Sequence, residues 1–370
     1  MPAPDPPNEA SVVHLDTARV WRGGQLQVFL LHRELLRRGV PSRLLARAGG
    51  SLHRRCVDQG LPVEPVGVMR PWYPPALRTV RRFTRTAAIV HAHDSHAASL
   101  AAVARLGNPA LKVVCHRRIT YSIGGPMALR WKYRRTDLWI AVSAEIAEIL
   151  RAAGIGRCSV VPSAVDVSSF LEAARAADLG RMRSQLEIED GAPVVGMVGA
   201  FTHQKGHDVL LRAAPKILSA APDTVFLCVG EGRLRSQFQR RISAAGLEGA
   251  FRFTGFRDDV AALMALPTVL VAPSLDGEGS SAALKEAMVL GRVIVATDLP
   301  GNLEVLGGAG ITVPVGDADA LAEAVVGLLG DSSRREELSA AGRAQTERFR
   351  PESMAAGVRR AYDSLRRGSS

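Results

Sequence analysis

The chain has 370 residues, a hydrophobic fraction of 47% and a formal net charge of +11. This length exceeds what one hydrophobic core usually serves, so we expect two domains of about 180 residues each. No apolar run reaches the roughly 18 to 20 residues that span a bilayer, and the acidic, proline-rich start is unlike a secretory leader, which favours a cytoplasmic protein. The four cysteines lie far apart without a CxxC pair, which argues against a disulfide framework and a zinc site.

The excess positive charge is confined to the first half of the chain. Residues 1–187 hold 27 Lys and Arg against 14 Asp and Glu, whereas the remainder holds 20 against 22. Such a one-sided field suits an acidic partner, such as an anionic membrane surface or a phosphorylated ligand, although arginines that only solvate helix faces are the alternative. The basic residues do not alternate with an aromatic stacking platform, so no nucleic acid is expected as a partner.

Short β-branched runs alternate with amphipathic stretches along the chain. The predicted strands are VVHL, SRLLA, AAIVHAH, LKVVCH and DLWIAVS, followed after a gap by PVVGMVGA, TVFLCVG, FRFTG, TVLVAPS and VIVATD. This alternation predicts an α/β protein with two Rossmann-like, doubly wound parallel-sheet domains that face each other across a cleft. We expect a disordered tail at residues 1–10 and domains at residues 11–187 and 188–350, with helices in residues 351–367 that return to the first domain.

The segment Leu275–Leu290, LDGEGSSAALKEAMVL, follows an apolar strand and is rich in candidate ligand groups. Ser280 and Ser281 are favourable N-cap residues and predict a helix that begins there. The first free backbone amides, those of Ala282 and Ala283, together with the helix dipole, suit a bound diphosphate.

Two carboxylates flank this predicted helix start. Glu278 lies in the preceding loop and Glu286 about a turn and a half inside the helix, so both can reach one ligand from different depths. A carboxylate accepts hydrogen bonds from vicinal sugar hydroxyls. From these residues alone, a capped helix with two solvated glutamates is an equal alternative.

Other strand ends of the second series carry further candidates. Lys205 precedes a helix predicted from His207, where an ammonium group can neutralise a departing diphosphate, although a solvated surface lysine is the alternative. Gly232 lies in VGEG, which lacks the third glycine of a dinucleotide fingerprint. Phe256 and Arg257 follow the strand FRFTG and can hold a nucleobase by stacking, or they form a plain βα turn.

The first βα turn of the chain reads DTARVWRGGQLQ. Gly23 and Gly24 lie at the mouth of a helix predicted from Gln25, and Arg22 precedes them. Two glycines allow a ligand to approach the backbone closely. They do not form GxGxxG, which argues against a nicotinamide-dinucleotide domain.

The segment HAHDSH places His91, His93, Asp94 and His96 at a strand end. Three close histidines raise the question of a metal. Strand alternation puts His91 and His93 on one face, but no carboxylate or cysteine set completes a tetrahedral site, so we predict no metal. His93 is better explained as a polar residue that touches substrate.

The next strand end, CHRRITYS, carries His116, Arg117 and Arg118. The two guanidinium groups are candidate anion ligands for a donor phosphate or for the acceptor.

Taken together, these motifs resemble glycosyltransferase family 4, of the GT-B fold, over nearly the whole chain from Val12 to Arg367. The matching segments are GG at Gly23 and Gly24, HAHD at 91–94, AVS at 141–143, VVPSAVD at 160–166, KG at Lys205 and Gly206, VGEG at 229–232, and the E-x7-E spacing of Glu278 and Glu286. The resemblance implies a retaining glycosyltransferase that takes a sugar from a nucleotide diphosphate, expected to be UDP or GDP, without a metal or other cofactor.

The resemblance also implies roles for single residues. Glu286 would hold the ribose, Glu278 would meet sugar hydroxyls, and His93 would lie near the reacting sugar. Lys205 and the amides after Ser281 would bind the diphosphate. The expected catalytic residues are His93, Lys205 and Glu278. The expected donor-binding residues are Gly23, Gly24, Lys205, Gly232, Phe256, Arg257, Glu278, Ser280, Ser281, Ala282, Ala283 and Glu286, and the expected acceptor-binding residues are Arg22, His93, Asp94, Arg117 and Arg118.

The chain departs from the family pattern at two places. Many members carry Arg where this chain has Ala200, so phosphate neutralisation would rest on Lys205 with an arginine of the first domain, or activity would be low. Ser280 and Ser281 replace the bulky and glycine residues common there, which leaves the donor sugar open.

The basic first domain predicts that the acceptor is a cell-surface glycan on a lipid or lipopolysaccharide intermediate, with peripheral contact to the membrane. A soluble small-molecule acceptor is the alternative. A catalytically weak scaffold and a sugar-nucleotide epimerase are the rival functions. The two glutamates and Lys205 argue against the scaffold, and the GG and HAHD motifs favour the transferase over the epimerase.

Overall fold

The computed structural model describes residues 11–70, 73–121, 123 and 127–367, and the expected tail at residues 1–10 lies outside them. The chain divides into two compact units. Unit 1 comprises residues 1–164 and 351–370, and unit 2 comprises residues 165–350.

Unit 1 contains a seven-stranded sheet in which all paired strands are parallel, in the order β3-β2-β1-β4-β5-β6-β7. Its strands are β1 (Val12–Asp16), β2 (Ser42–Arg47), β3 (Val63–Val66), β4 (Ile89–Ala92), β5 (Lys112–Arg117), β6 (Leu138–Ala141) and β7 (Cys158–Val160). Its helices are α1 (Gly23–Arg37), α2 (Ser51–Asp58), α3 (Pro74–Thr84), α4 (Ser95–Ala104), α5 (Met127–Arg134), α6 (Ala144–Ala152) and α16 (Pro351–Arg367).

Both faces of this sheet are covered, because its strands bury side chains in two directions. Val13 and Leu15 belong to one apolar cluster, whereas Val12 belongs to the other, together with residues of α1 and α16. The chain order reverses between β1 and β4, which are neighbours in the sheet. In open parallel sheets, ligands bind beyond the carboxyl ends of the strands at such a reversal.

Unit 2 contains a six-stranded parallel sheet in the order β10-β9-β8-β11-β12-β13, with its reversal between β8 and β11. Its strands are β8 (Val194–Val198), β9 (Val225–Val229), β10 (Phe251–Gly255), β11 (Val269–Ala272), β12 (Val293–Thr297) and β13 (Ile311–Val313). Its helices are α7 (Val167–Arg175), α8 (Leu179–Gln185), α9 (His207–Ala220), α10 (Arg235–Ala244), α11 (Val260–Ala265), α12 (Ala282–Val289), α13 (Pro300–Leu306), α14 (Ala318–Gly330) and α15 (Ser332–Gln345).

The division between the units falls after residue 164 and not after residue 187 as expected. No strand is predicted between these two positions. The sequence therefore did not show on which of the two sheets the helices of this segment pack. Val165 and Val167 belong to the apolar cluster of α11, α12 and β12, so α7 is part of unit 2. Residues 351–367 form α16, which packs on α1 in unit 1.

Within the described part of the chain, none of the helices is both long enough and apolar enough to span a membrane.

Candidate functional site

The start of α12 in unit 2 presents backbone donors at the carboxyl end of the sheet. Ser281 occupies the N-cap position, with φ −57° and ψ 120°, but its hydroxyl makes no capping hydrogen bond. Ala282 is exposed and Ala283 is half-buried. The first-turn amides of a helix have no partner within the helix, so they can bind an anion here.

Lys205 and Glu278 form an ion pair beside this helix start. Lys205 Nζ lies 2.5 Å from Glu278 Oε1, and Ser274 Oγ donates to the same oxygen at 2.6 Å. The Glu278 side chain is 6% exposed and that of Lys205 is 26% exposed. Two expected catalytic residues, which lie 73 positions apart in the sequence, therefore share one charge-assisted contact.

Two loops interlock to hold this pair. Gly206 has φ +71°, and a Cβ atom on it would lie 1.8 Å from the carbonyl oxygen of Pro273, so only glycine fits. The amide of Leu275 donates to the carbonyl oxygen of Gln204 at 2.8 Å. These contacts fix the loop that carries Lys205 against the loop that carries Glu278.

Glu286 and the adjacent Lys285 lie on α12 close to this loop. Burial raises the pKa of the Glu286 carboxyl, and the Lys285 ammonium opposes that rise. Lys285 is 1% exposed and donates from Nζ to Ser280 Oγ at 2.6 Å, and burial lowers its pKa to about 7. Our sequence analysis did not identify Lys285. The sequence feature that could have indicated it is a lysine between the apolar Leu284 and the candidate ligand Glu286.

The remaining expected donor contacts of unit 2 follow β9 and β10. Gly232 packs against the backbone of Phe201, where a Cβ atom would lie 2.5 Å from the carbonyl oxygen, so packing explains this glycine. Phe256 is 77% exposed, which leaves its ring free to stack. Arg257 is paired with Asp259 through Nε at 2.7 Å and Nη2 at 2.5 Å.

In unit 1, Gly23 and Gly24 are the first two residues of α1, which begins two residues earlier than expected. A Cβ atom on either glycine would meet no atom within 4 Å, and neither has a positive φ. Neither packing nor backbone conformation therefore requires glycine at these positions. Arg22, at the N-cap position, is exposed and makes no capping hydrogen bond with its side chain.

The face of the unit 1 sheet that lies under α1 and α16 becomes more polar toward the carboxyl ends of its strands. Val12 pairs with Ile89 in the register of β1 and β4, and His14 pairs with His91 one level higher. Asp16, which ends β1, is 1% exposed. Neither His14 nor Asp16 was predicted as a site residue from the sequence. Strand alternation places both on one face of β1, but only the β1–β4 pairing places them beside the HAHD segment.

Four histidine rings stack at this level of the sheet. His14 Nδ1 lies 2.9 Å from His93 Nε2, and His116 Nδ1 lies 3.0 Å from His91 Nε2. His91 Nδ1 lies 2.6 Å from the hydroxyl of Tyr362 on α16. Burial is the main cause that lowers the pKa of each of the four imidazoles well below its usual value, so the rings are neutral.

The histidines that could hold a metal ion in the structure are not the three of the HAHDSH segment. His14, His91 and His93 each place one ring nitrogen within 4.8 Å of the others, whereas His96 is exposed on α4. Neutral imidazoles are possible metal ligands. Because two of these nitrogens already bond each other, an ion would have to displace that hydrogen bond.

Asp94 anchors the segment around it. Its Oδ1 accepts from the amides of His96 and Ala97, both at 2.9 Å, which caps α4. Thr17 donates to it from both its amide and its hydroxyl, at 2.7 and 2.9 Å. Asp94 thereby ties the loop after β1 to the end of β4.

Arg117, the last residue of β5, and Arg118, which follows it, point to different surroundings. Arg117 donates to the hydroxyl of Tyr133 and to the carbonyl oxygen of Tyr121. Arg118 donates to the carbonyl oxygen of His93 at 3.0 Å and to His93 Nδ1 at 3.2 Å. Among the expected acceptor contacts, the structure therefore brings together Arg118, His93 and Asp94, and not Arg117.

Asp16 adds a titratable carboxyl to this group. Burial is the largest cause that raises its pKa to about 6, and the nearby Asp94 raises it further, whereas a hydrogen bond from Gln25 lowers it. Gln25 Nε2 donates to Asp16 Oδ2 at 3.0 Å, which joins the start of α1 to the end of β1.

Comparisons with known proteins identify the family of the chain. Two family models match the chain, "Glycosyltransferase Family 4" over residues 21–169 and "Glycosyl transferases group 1" over residues 192–331. The phosphatidyl-myo-inositol mannosyltransferase of Mycobacterium leprae is 32% identical over 360 residues, which cover 93% of each chain. The 2-deoxystreptamine N-acetyl-D-glucosaminyltransferase of Streptomyces fradiae is 31% identical over 363 residues, covering 86% of this chain and 85% of the relative.

A solved structure gives the corresponding likeness in three dimensions. Anabaena HepE in complex with UDP superimposes with a TM-score of 0.81 at 20% identity, covering 96% of this chain and 100% of the other. Two parallel-sheet α/β units with this likeness define a GT-B fold. The chain belongs to glycosyltransferase family 4, and it is a glycosyltransferase that uses a nucleotide sugar.

Proposed function

We propose that this protein transfers a sugar from a nucleotide diphosphate to an acceptor with retention of anomeric configuration and without a metal ion. The observation that carries the proposal is the Lys205–Glu278 ion pair beside the uncapped start of α12. Lys205 and the amides of Ala282 and Ala283 supply positive charge for the diphosphate, a task that a metal performs in other enzymes.

Glu278 and Glu286 would divide the remaining donor contacts. Glu278 is fixed by Lys205 and Ser274, which leaves its second oxygen for sugar hydroxyls. Glu286, inside α12, would accept from the ribose. Phe256 would stack on the base, because its ring is exposed at the end of β10.

The transfer would follow a front-face path. The bond from the anomeric carbon to the leaving phosphate oxygen breaks, and the bond to the acceptor oxygen forms on the same face. The acceptor proton passes to the leaving phosphate oxygen, so no protein nucleophile is required. Fixed positive charge on the diphosphate would lower the barrier as negative charge develops there.

The acceptor would be a lipid-linked intermediate, with unit 1 at an anionic membrane surface. Two observations support this choice. The names of mycobacterial relatives specify a phosphatidyl-myo-inositol acceptor. The excess of Lys and Arg also lies in residues 1–187, and Arg78, Arg81 and Arg82 are exposed on α3.

A soluble acceptor is the second candidate. Relatives from Streptomyces are named as 2-deoxystreptamine transferases. The carboxyls of Asp16 and Asp94 lie near Arg118, so this part of unit 1 is not uniformly basic. A small aminocyclitol would place its ammonium groups near such carboxylates.

Donor binding is the first test. Purified protein is heated with UDP-, GDP- and ADP-sugars in the presence of a chelator, alongside Glu286→Ala and the surface control Glu323→Ala. We expect one nucleotide class to raise the melting temperature of the wild type and of Glu323→Ala, and to leave Glu286→Ala unchanged. Stabilisation only after a divalent metal is added would overturn the metal-independent mechanism, and no stabilisation at all would favour a weak scaffold.

The acceptor is tested with the donor found in this way. The protein is incubated with phosphatidylinositol vesicles or with 2-deoxystreptamine, and products are identified by mass spectrometry. We expect a glycosylated lipid whose anomeric configuration, measured by NMR coupling constants, matches that of the donor. An inverted product would contradict the front-face path, and a glycosylated aminocyclitol would establish the second candidate.

A further inference from the structure

The buried histidine layer of unit 1 fixes the proton position on His93. Arg118 donates to His93 Nδ1 at 3.2 Å, and a guanidinium can only donate, so Nδ1 is the acceptor. A neutral ring then carries its proton on Nε2. That nitrogen lies 2.9 Å from His14 Nδ1, so His93 Nε2–H donates the hydrogen bond and His14 Nδ1 accepts it.

The same reasoning extends to His14. Its Nδ1 accepts, so its own proton lies on Nε2, an atom that is fully buried and has no hydrogen-bond partner among the described residues. A buried donor without a partner costs free energy. If this position served only hydrophobic packing, an apolar side chain would be more stable here than His14. The acceptor that His14 offers to His93 is the contact that an apolar residue cannot replace.

Arg118 depends on this arrangement. Two nitrogens of its guanidinium group donate to His93: Nη2 to the ring and Nη1 to the carbonyl oxygen. Asp16 and Asp94 also attract its charge. If His93 moved its proton to Nδ1, the ring would present a donor to the guanidinium and this contact would be lost. The direction of Arg118 therefore follows from the tautomer of His93.

We propose that His14 is a positioning residue that holds His93 in the Nε2–H tautomer and thereby fixes Arg118 toward the acceptor. This inference rests on the proposed function, together with the roles that the family resemblance implies: His93 near the reacting sugar and Arg118 at the acceptor. His14 itself touches neither, since it is 0% exposed. Its contribution acts through His93.

The chain offers a matched set of variants. Asparagine at position 14 retains an acceptor near the position of Nδ1 and lacks the unpaired Nε2–H, whereas leucine has similar volume and no acceptor. His32 is the control, because it is also fully buried but bonds to Ser42 and to the carbonyl oxygen of Pro62. His32→Leu removes a buried imidazole that lies beside His14, with ring centroids 5.8 Å apart, and leaves the His14–His93 hydrogen bond in place, so it tests the packing of this layer without removing the acceptor.

The first measurement is the tautomer itself. Long-range ¹H–¹⁵N spectra of the full chain, labelled at its nine histidines, report which nitrogen carries the proton. In the wild type, in His14→Asn and in His32→Leu, we expect His93 to carry its proton on Nε2 and none on Nδ1. In His14→Leu we expect a mixture of the two tautomers. A wild-type His93 protonated at Nδ1 would refute the inference, whatever the protein catalyses.

The second measurement is turnover of UDP-glucose and GDP-mannose. We expect His14→Leu to lower kcat about 10-fold with KM for the donor changed less than about 2-fold, since the donor groups lie in unit 2. His14→Asn should restore turnover to within about 3-fold of the wild type. Equal losses in His14→Leu and His14→Asn, or an equal loss in His32→Leu, would show a merely structural role. If the wild type turns over neither sugar, the proposed function is in doubt, and the spectra still decide the tautomer.

Discussion

The glycines of the candidate site fall into two groups: packing requires a glycine at some positions and not at others. Gly206 and Gly232 lie against backbone oxygens, so their small size has a structural reason. Gly23 and Gly24 have open space beside them. All four glycines lie at or shortly before the start of a helix, and only the structure shows which of them leave room for another molecule.

Gly24→Ala tests whether that space belongs to a ligand. Alanine favours a helix by up to about 1 kcal/mol over glycine, so we expect the variant to be as stable as the wild type or more so. If a ligand approaches this backbone, the added methyl group lowers kcat/KM at least about 10-fold. Turnover and melting temperature are measured on the same preparation.

Gly327→Ala is the control for Gly24→Ala. Gly327 lies inside α14, is exposed and has no atom within 4 Å of an added Cβ. It should gain a similar stability and keep full turnover. Full turnover in Gly24→Ala would remove the ligand explanation for the glycine pair.

At the scale of elements, the sequence predicted ten of the thirteen strands in the described part of the chain, because hydrophobic alternation is a local signal, but it did not predict the short strands β3, β7 and β13. It did not predict which loops interlock. Lys205 and Glu278 were each interpreted as facing the donor, whereas the structure pairs them directly. That contact depends on the order of β8 and β11 in the sheet, which no local pattern contains. His14 was missed for the same reason, since its significance comes from the neighbouring β4.

Gly301→Ala tests how strictly α13 holds the loop of Glu278. A Cβ atom on Gly301 would lie 1.6 Å from the carbonyl oxygen of Glu278, so the loop has to shift. We expect the melting temperature to fall by only a few degrees and the stabilisation by a nucleotide sugar to disappear, because the Lys205–Glu278 pair is displaced. Both quantities come from one thermal titration.

Gly308→Ala is the matched control for Gly301→Ala. Gly308 follows α13 and has φ +89°, so alanine is strained there, but it meets no atom within 4 Å. It should lose stability and still bind the sugar nucleotide. Retained binding in Gly301→Ala would mean that the Glu278 loop is not part of the donor site.

At the scale of the whole molecule, the two units differ in their buried ionisable groups. Unit 1 buries five histidines, each with a pKa that is lowered mainly by burial: His14, His32, His91, His93 and His116. In unit 2, burial lowers the pKa of His207 to about 4. A folded state that binds fewer protons than the unfolded state loses stability as the pH falls.

We therefore expect the free energy of unfolding to decrease as the pH drops from 6.5 toward 4, and to decrease more steeply for unit 1. Asp16 acts in the opposite direction, because its pKa is raised to about 6 and its protonation favours the folded state, but one carboxyl opposes five imidazoles. Urea unfolding followed by hydrogen exchange at several pH values resolves the two units. Equal pH slopes in both units would contradict the expectation.

The excess of positive charge in the first half of the chain is a property of the whole molecule. Helix α3 exposes part of this charge to solvent. Ala76 and Val80 are buried, whereas Arg78, Arg81 and Arg82 are exposed on the opposite side of the helix. Each arginine near an anionic membrane contributes about 1 kcal/mol of attraction, so replacing all three with serine should weaken binding to phosphatidylglycerol vesicles about 100-fold.

Vesicle sedimentation at two salt concentrations measures this loss, and added salt should reduce wild-type binding because it screens the charges. The control replaces Arg240, Arg334 and Arg348, three exposed arginines of unit 2, which removes the same net charge elsewhere. An equal loss in both triple variants would indicate that only the net charge matters. Unchanged binding in the α3 variant would show that α3 is not the membrane contact. A wild type that binds no vesicles at either salt concentration, while the sugar nucleotide still stabilises it, would instead favour a soluble acceptor, because a lipid-linked one requires contact with the membrane.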